Sequence, residues 1–237
     1  MWACHDVGVD TLVLWDIDLT LVDYTGIGRR WYAEALATVA GKELAHMPTF
    51  AGRTERSLAK ELLMAHDEEH DDEHVERLLS GLEAVGLAAR PSMPTLGRAL
   101  DGAPEILTAL AGRTGVVQSL VTGNLPALAD VKLGAFGLTR HVDLEIGGYG
   151  SLSEHRHDLV EVAMAQAAVK HGVAFAPSSV VVVGDTPMDV AAGRHHGTVT
   201  VGVATGRYTA GALAESGADV VLPDLADTPA VLAALLP

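Results

Sequence analysis

Cysteine is nearly absent: Cys4 is the single one in 237 residues. The chain can form no internal disulfide, which fits a reducing compartment. Basic residues are also few, with 16 Lys and Arg against 31 Asp and Glu and a formal charge of −15. Such a surface repels a phosphate backbone, whose binding needs clustered Lys and Arg, so nucleic acid is not an expected partner. No apolar run approaches the roughly 20 residues needed to span a bilayer. Met1–Asp10 holds neither a basic cluster nor an apolar stretch of signal-peptide length. A cytoplasmic protein without a membrane partner is therefore expected.

The length exceeds the commonest single-domain size of about 100–150 residues, so a domain with an insertion, or two small domains, is expected. Strand-like runs at 11–16, 116–122, 179–184, 199–203 and 219–222 alternate with helix-patterned segments. That alternation predicts an α/β fold, a parallel sheet with helices on both faces. One helix opens at Ala103 with Pro104 and closes at Gly112; in another, Leu159, Val162, Ala163 and Val169 mark an apolar face before Gly172. Between Asp23 and about Arg98 no strand pattern occurs. Trp31, Ala35, Leu36 and Val39 recur at helical spacing, as do Leu58, Leu62 and Leu63, then Val75, Leu78, Leu79 and Leu82. An all-helical insertion follows, with Arg90–Pro94 as a break on its return path.

Three strand-like runs end in residues suited to chemistry. The first ends in Asp16 and Asp18, two positions apart. In an open α/β sheet the C-terminal strand ends face the ligand crevice, and two acids there suggest metal-assisted chemistry; turn formation is the alternative. The second ends in Thr122, Gly123 and Asn124, a hydroxyl and a tight turn fit to hold phosphate oxygens. The third is Ser179–Gly184, followed by Asp185 and Asp189.

In this order the three motifs resemble those of the haloacid dehalogenase-like (HAD) superfamily hydrolases, of the phosphoglycolate-phosphatase-like branch. The likeness covers nearly the whole chain, including Val199–Gly206 and Gly217–Leu222. It implies a Rossmann-like core from 1–22 and 99–237, with a helical cap at 23–98 over the pocket. It also implies Asp16 as nucleophile, Asp18 as general acid/base and Thr122 as phosphate ligand. Mg²⁺ would be held by Asp16, the Asp18 carbonyl and Asp185, with Asp189 in support. The family's basic residue, usually a Lys before Pro, is here Arg156, just ahead of a helical stretch. Lys132, inside the helix after Asn124, and Lys170 fall outside that place. Leu19 stands where the family most often has Gly.

The activity so implied is a Mg²⁺-dependent phosphatase for a small phosphorylated metabolite, phosphoglycolate- or sugar-phosphate-like, acting through an aspartyl-phosphate. A phosphosugar mutase of the β-phosphoglucomutase kind and a non-catalytic phosphate-binding protein are the alternatives. An acid at Asp18 favours phosphate chemistry over dehalogenation, because halide leaves unprotonated. Arg156, Thr122 and the N–H groups of Gly123 and Asn124 would stabilise the equatorial oxygens of the transferring phosphate. Because −15 repels anionic substrates at range, compensation must be local. Arg53, in a loop of the insertion, is placed either against the substrate's non-reacting end or in water. His66, His70 and His74 have the helical i, i+4, i+8 spacing of a Zn²⁺ site, but their charge-rich surroundings predict a solvated face.

Overall fold

The computed structural model describes residues 11–236, so Cys4 and the Met1–Asp10 segment lie outside the described residues. Strands β1 (Thr11–Trp15) and β2 (Val22–Asp23) precede helices α1 (Ile27–Ala40), α2 (Glu55–Ala65), α3 (Asp72–Ala89) and the short α4 (Met93–Leu96). Then follow β3 (Arg98–Ala99), α5 (Ala103–Ala111), β4 (Val116–Thr122), α6 (Pro126–Gly134), β5 (Gly148–Tyr149) and α7 (Arg156–His171). The chain finishes with β6 (Val180–Gly184), α8 (Pro187–His195), β7 (Val199–Val203), α9 (Ala210–Glu215), β8 (Val220–Leu222) and α10 (Thr228–Leu235).

The fold is a Rossmann-like α/β sandwich. Runs of Val, Leu and Trp without polar alternation suit strands covered on both faces. The main sheet runs β5-β4-β1-β6-β7-β8, with every pairing parallel. Successive side chains of β1 feed opposite layers: Val13 and Trp15 join a core with Ile106, Leu107 and Trp31, while Leu12 and Leu14 pack with Leu159 and Val160 of α7. Gln118, buried in β4, accepts from the Trp15 indole at 3.2 Å and donates to the Leu107 carbonyl at 2.9 Å.

Strand order changes direction at β1, which has β4 on one side and β6 on the other. This is the switch point where an open α/β sheet forms its crevice. Trp15 pairs in register with Leu120 and with Val183, so Asp16, Thr122 and Asp185 emerge together at one sheet end.

Two short pairings were not expected. β5 and the antiparallel β2–β3 ribbon have two residues per strand, too few to show a period. The ribbon pairs Val22 with Ala99 and Asp23 with Arg98, so the helical excursion leaves and re-enters through one neck. The expected break at Arg90–Pro94 is instead a 3₁₀ turn running into α4, because each Pro sits in a first turn, where its missing N–H is harmless. Val169, expected on the buried face of α7, is 86% exposed. At about 100° per residue the inward arc passes through Leu159, Val160, Ala163 and Ala167 instead.

Leu19 takes a left-handed conformation, φ +61°. Its N–H donates to the Val22 carbonyl at 2.8 Å, and its own carbonyl accepts from Thr205 Oγ1 at 2.6 Å. These bonds fix the turn that brings Asp18 round to the pocket. A left-handed Leu carries about 1–2 kcal/mol of strain, which glycine would relieve. Leu19→Gly is therefore expected to change unfolding free energy by less than about 1 kcal/mol, against the roughly 2–5 kcal/mol lost when a well-packed Leu is truncated. Equilibrium urea denaturation measures the difference.

Candidate active site

Asp16 follows directly on β1, and Arg156 opens α7. The Arg156 guanidinium, buried to 6% exposure, lies 2.8 Å from Asp16 Oδ1 and donates from Nε to Asp189 Oδ1 at 2.8 Å. Burial works to discharge Arg156, and the charges of Asp189 and Asp16 outweigh it, holding its proton more tightly than usual. Asp189 is set in place by local sequence. Thr186 is the N-cap of α8 and Asp189 its third residue, a reciprocal capping box in which Asp189 Oδ2 accepts from Thr186 N–H at 3.0 Å and from its hydroxyl at 2.7 Å. Both Asp189 oxygens are thus engaged, so Asp189 positions Arg156.

Asp185 completes a buried group in which Asp16, Asp185 and Asp189 offer oxygens all within 4.8 Å of one another. Burial, with Asp189 and Asp18 adding and Arg156 opposing, pushes Asp16 up to about 6. Burial and the charges of Asp16 and Asp189 push Asp185 up to about 8. Three buried carboxylates face one guanidinium, an imbalance that a divalent cation with oxygen preference would cancel. The donor set therefore fits Mg²⁺, with Asp16 and Asp185 as the carboxylates that would ligate it and Asp189 in support. Gly206 is required beside them, since a Cβ there would come within 1.7 Å of Asp185 Oδ2.

Asp18 turns its side chain to the other wall. Lys132 Nζ donates to Asp18 Oδ2 at 2.6 Å and Oδ1 at 2.8 Å, and to Asn124 Oδ1 at 2.6 Å; Asn124 Nδ2 donates to Asp18 Oδ2 at 2.8 Å. Lys132, set aside on sequence position, thus belongs to the site. Its sequence signal is its place one turn after Leu128, on the buried arc of α6 with Val131 and Leu133. A lysine on an apolar arc needs a partner, and Asp18 provides it.

Thr122 Oγ1 is fully buried and accepts from Asn124 Nδ2 at 2.8 Å, which leaves its own proton free to donate. Gly123 lets the helical excursion come down on this turn: its carbonyl accepts from the Glu55 N–H at 2.9 Å, and a Cβ on Gly123 would meet the Arg53 carbonyl at 2.0 Å. Thr54 caps α2 from this loop, its hydroxyl accepting from the Ser57 N–H at 3.2 Å. Glu55 was not singled out by sequence. Burial, with Asp18 adding to it, raises Glu55 to about 7 despite its hydrogen bond from Tyr32 and the charge of Lys132.

Arg53 is held within the excursion. Its guanidinium folds back along α2, donating to Ser57 Oγ at 3.1 Å, the Ser57 carbonyl at 3.1 Å and Glu61 Oε2 at 2.6 Å. Acceptors on the first two turns of α2 engage all three nitrogens. His66, His70 and His74 also part company. α2 stops at Ala65, Asp67 is left-handed, and α3 starts at Asp72, so no one helix carries them. His66 is buried, bonded to the Leu62 carbonyl and the Ala45 N–H, while His74 pairs with Asp71. Among the described residues no helix is long and apolar enough to cross a membrane.

No curated protein sequence matches the chain significantly. Solved structures do. A hydrolase from Pseudomonas syringae is 22% identical over 94% of this chain and 98% of its own, with a TM-score of 0.63. A predicted phosphoglycolate phosphatase from Haemophilus somnus is 19% identical over 94% and 97%, TM-score 0.62. A β-phosphoglucomutase from Clostridium difficile is 13% identical over 96% and 97%, TM-score 0.66. The family model for haloacid dehalogenase-like hydrolases matches residues 13–194, from β1 through Asp16, Thr122, Arg156 and Asp189 into α8. The chain belongs to the haloacid dehalogenase-like hydrolase family.

Proposed function

We propose that the chain is a Mg²⁺-dependent phosphatase for a small phosphorylated metabolite, working through an aspartyl-phosphate on Asp16. The observation that carries this is the contact of Arg156 with Asp16 at 2.8 Å inside the cluster shared with Asp185 and Asp189. Asp16 attacks phosphorus while Arg156 and the turn of Thr122, Gly123 and Asn124 stabilise the equatorial oxygens. Asp18, oriented by Lys132 and Asn124, gives a proton to the leaving oxygen and then takes one from the water that hydrolyses the acyl-phosphate. Such acid–base assistance contributes roughly 10²–10⁴ in rate. Mg²⁺, when bound at Asp16, the Asp18 carbonyl and Asp185, supplies the positive charge that lets a carboxylate approach a phosphate dianion. Residues 23–98 act as the cap: α2 docks on the phosphate-binding turn through the Glu55 N–H and on Gly150 through the Arg56 N–H, each at 2.9 Å.

A phosphosugar mutase is the second reading, favoured by this closed docking, which shields an acyl-phosphate from water. Multiple-turnover release of inorganic phosphate separates the two.

Activity is expected to vanish in EDTA and return with Mg²⁺. Binding should also appear in stability. Asp16 and Asp185 are held above the usual carboxylate range, so between roughly pH 4 and pH 8 the metal-free folded protein binds more protons than the unfolded chain and loses stability as pH rises. Mg²⁺ binds the ionised acids. Its increase in Tm should therefore be larger at pH 8 than at pH 6 and disappear in Asp185→Ala. A Tm insensitive to Mg²⁺ at both pH values would remove the metal from the site.

A further inference from the structure

We propose that Glu55 selects the leaving group, favouring phosphomonoesters whose leaving group carries an ammonium or hydroxyl and rejecting those that carry a second anion. This deepens the phosphatase reading above and rests on it. Glu55 is the first residue of α2, and its N–H bond to the Gly123 carbonyl at 2.9 Å pins it over the phosphate-binding turn. Its carboxyl feels the charges of Lys132 and of Asp18, the group proposed to protonate the leaving oxygen.

The buried Tyr32 hydroxyl donates to Glu55 Oε2 and holds the side chain. Among the described residues Oε1 accepts no hydrogen bond, which leaves one acceptor for a donor on the substrate. The cations on this part of the excursion are already paired. Arg53 is bound to Ser57 and Glu61, Arg56 to the Ser151 carbonyl, Asp72 and Glu76, and Lys60 to Glu154 at 2.7 Å. Where a carboxylate- or phosphate-bearing leaving group would require a cation, the excursion presents a carboxyl. Like charges brought together out of water repel, whereas an ammonium or hydroxyl gains a charge-assisted hydrogen bond.

Three esters that share a two-carbon chain test this: 2-hydroxyethyl phosphate, O-phosphoethanolamine and 2-phosphoglycolate. They are assayed for phosphate release at pH 8 with Mg²⁺, with p-nitrophenyl phosphate as a general reporter. For the wild type, kcat/KM on the first two should exceed that on 2-phosphoglycolate by about tenfold or more. Glu55→Gln keeps the size of the side chain and an acceptor for Tyr32 but removes the charge. It should bring the three values within about threefold of one another, while Tyr32→Phe, which keeps the charge, should preserve the ranking. Equal or preferred use of 2-phosphoglycolate by the wild type, or an unchanged ranking in Glu55→Gln, overturns the role of Glu55 and leaves the phosphatase standing. Release of phosphate from none of the four esters overturns both.

Discussion

Asp16→Asn is expected to abolish multiple-turnover phosphate release, by about 10⁴-fold or more, as loss of a nucleophile from a cooperating set does. The amide matches the carboxylate in size but is a poor nucleophile and a poor metal ligand. The fold should not suffer. Asp16 is one of three acids crowded around a single Arg, and burial holds it near 6. A carboxyl raised in this way subtracts from stability once the pH exceeds its unfolded value, so removing its charge relieves the metal-free protein at neutral pH. The expected pair of results is lost turnover with an equal or higher Tm at pH 7.5 in EDTA. Turnover within tenfold of wild type would rule out Asp16 as the nucleophile, and a large fall in Tm would show that it also holds the fold together.

Arg156→Ala should fail on both counts. The guanidinium touches Asp16 and Asp189 in a buried setting, so its removal strands carboxylates without a counter-charge. Breaking such a pair from one side destabilises by about 3–5 kcal/mol. Transition-state stabilisation falls as well, by about 10²–10³ in kcat/KM, the usual cost of one lost donor to a developing anion. Arg156→Lys separates the two effects. An ammonium restores the charge and most of the stability, but it lacks the planar fork that lets Arg156 bond Asp189 through Nε while its terminal nitrogen reaches Asp16. Recovery of Tm with kcat/KM still depressed is the expected outcome, measured by thermal melts and phosphate release on the same preparations. Wild-type kinetics in both variants would show that another base serves the phosphate.

The two positions differ in why they can be read from sequence. Asp16 and Asp185 each follow an apolar run and Thr122 ends a β-rich one, and a sheet with β1 at its centre brings such strand ends together whatever happens elsewhere. The family resemblance singles out Arg156, together with its place between the second and third motifs and just ahead of a helical stretch. Lys132 and Glu55 carry no such signal. Lys132 meets Asp18 across 114 positions of sequence because α6 turns its buried arc toward the β1 loop. Glu55 arrives only through the docking of the excursion on Gly123. Sequence leaves Arg53 between two readings, and its partners, Ser57 and Glu61, lie on the helix that follows it, four and eight positions on. Val169 shows the same limit in a helix, where apolar residues outnumber the places on the inward arc.

The neck between the sheet and the excursion has a further consequence. Val22 faces Ala99 and Asp23 faces Arg98 across an antiparallel ladder, so from the sheet's side residues 24–97 are the tip of a two-rung hairpin. The ends of that tip are already joined, and the entropy of closing a longer or shorter one changes only with the logarithm of its length. An exchanged tip would leave Asp16 and Asp18 at the same distance from the rungs. On the function proposed above, selectivity in the tip and bond cleavage at the sheet can therefore change independently over evolutionary time.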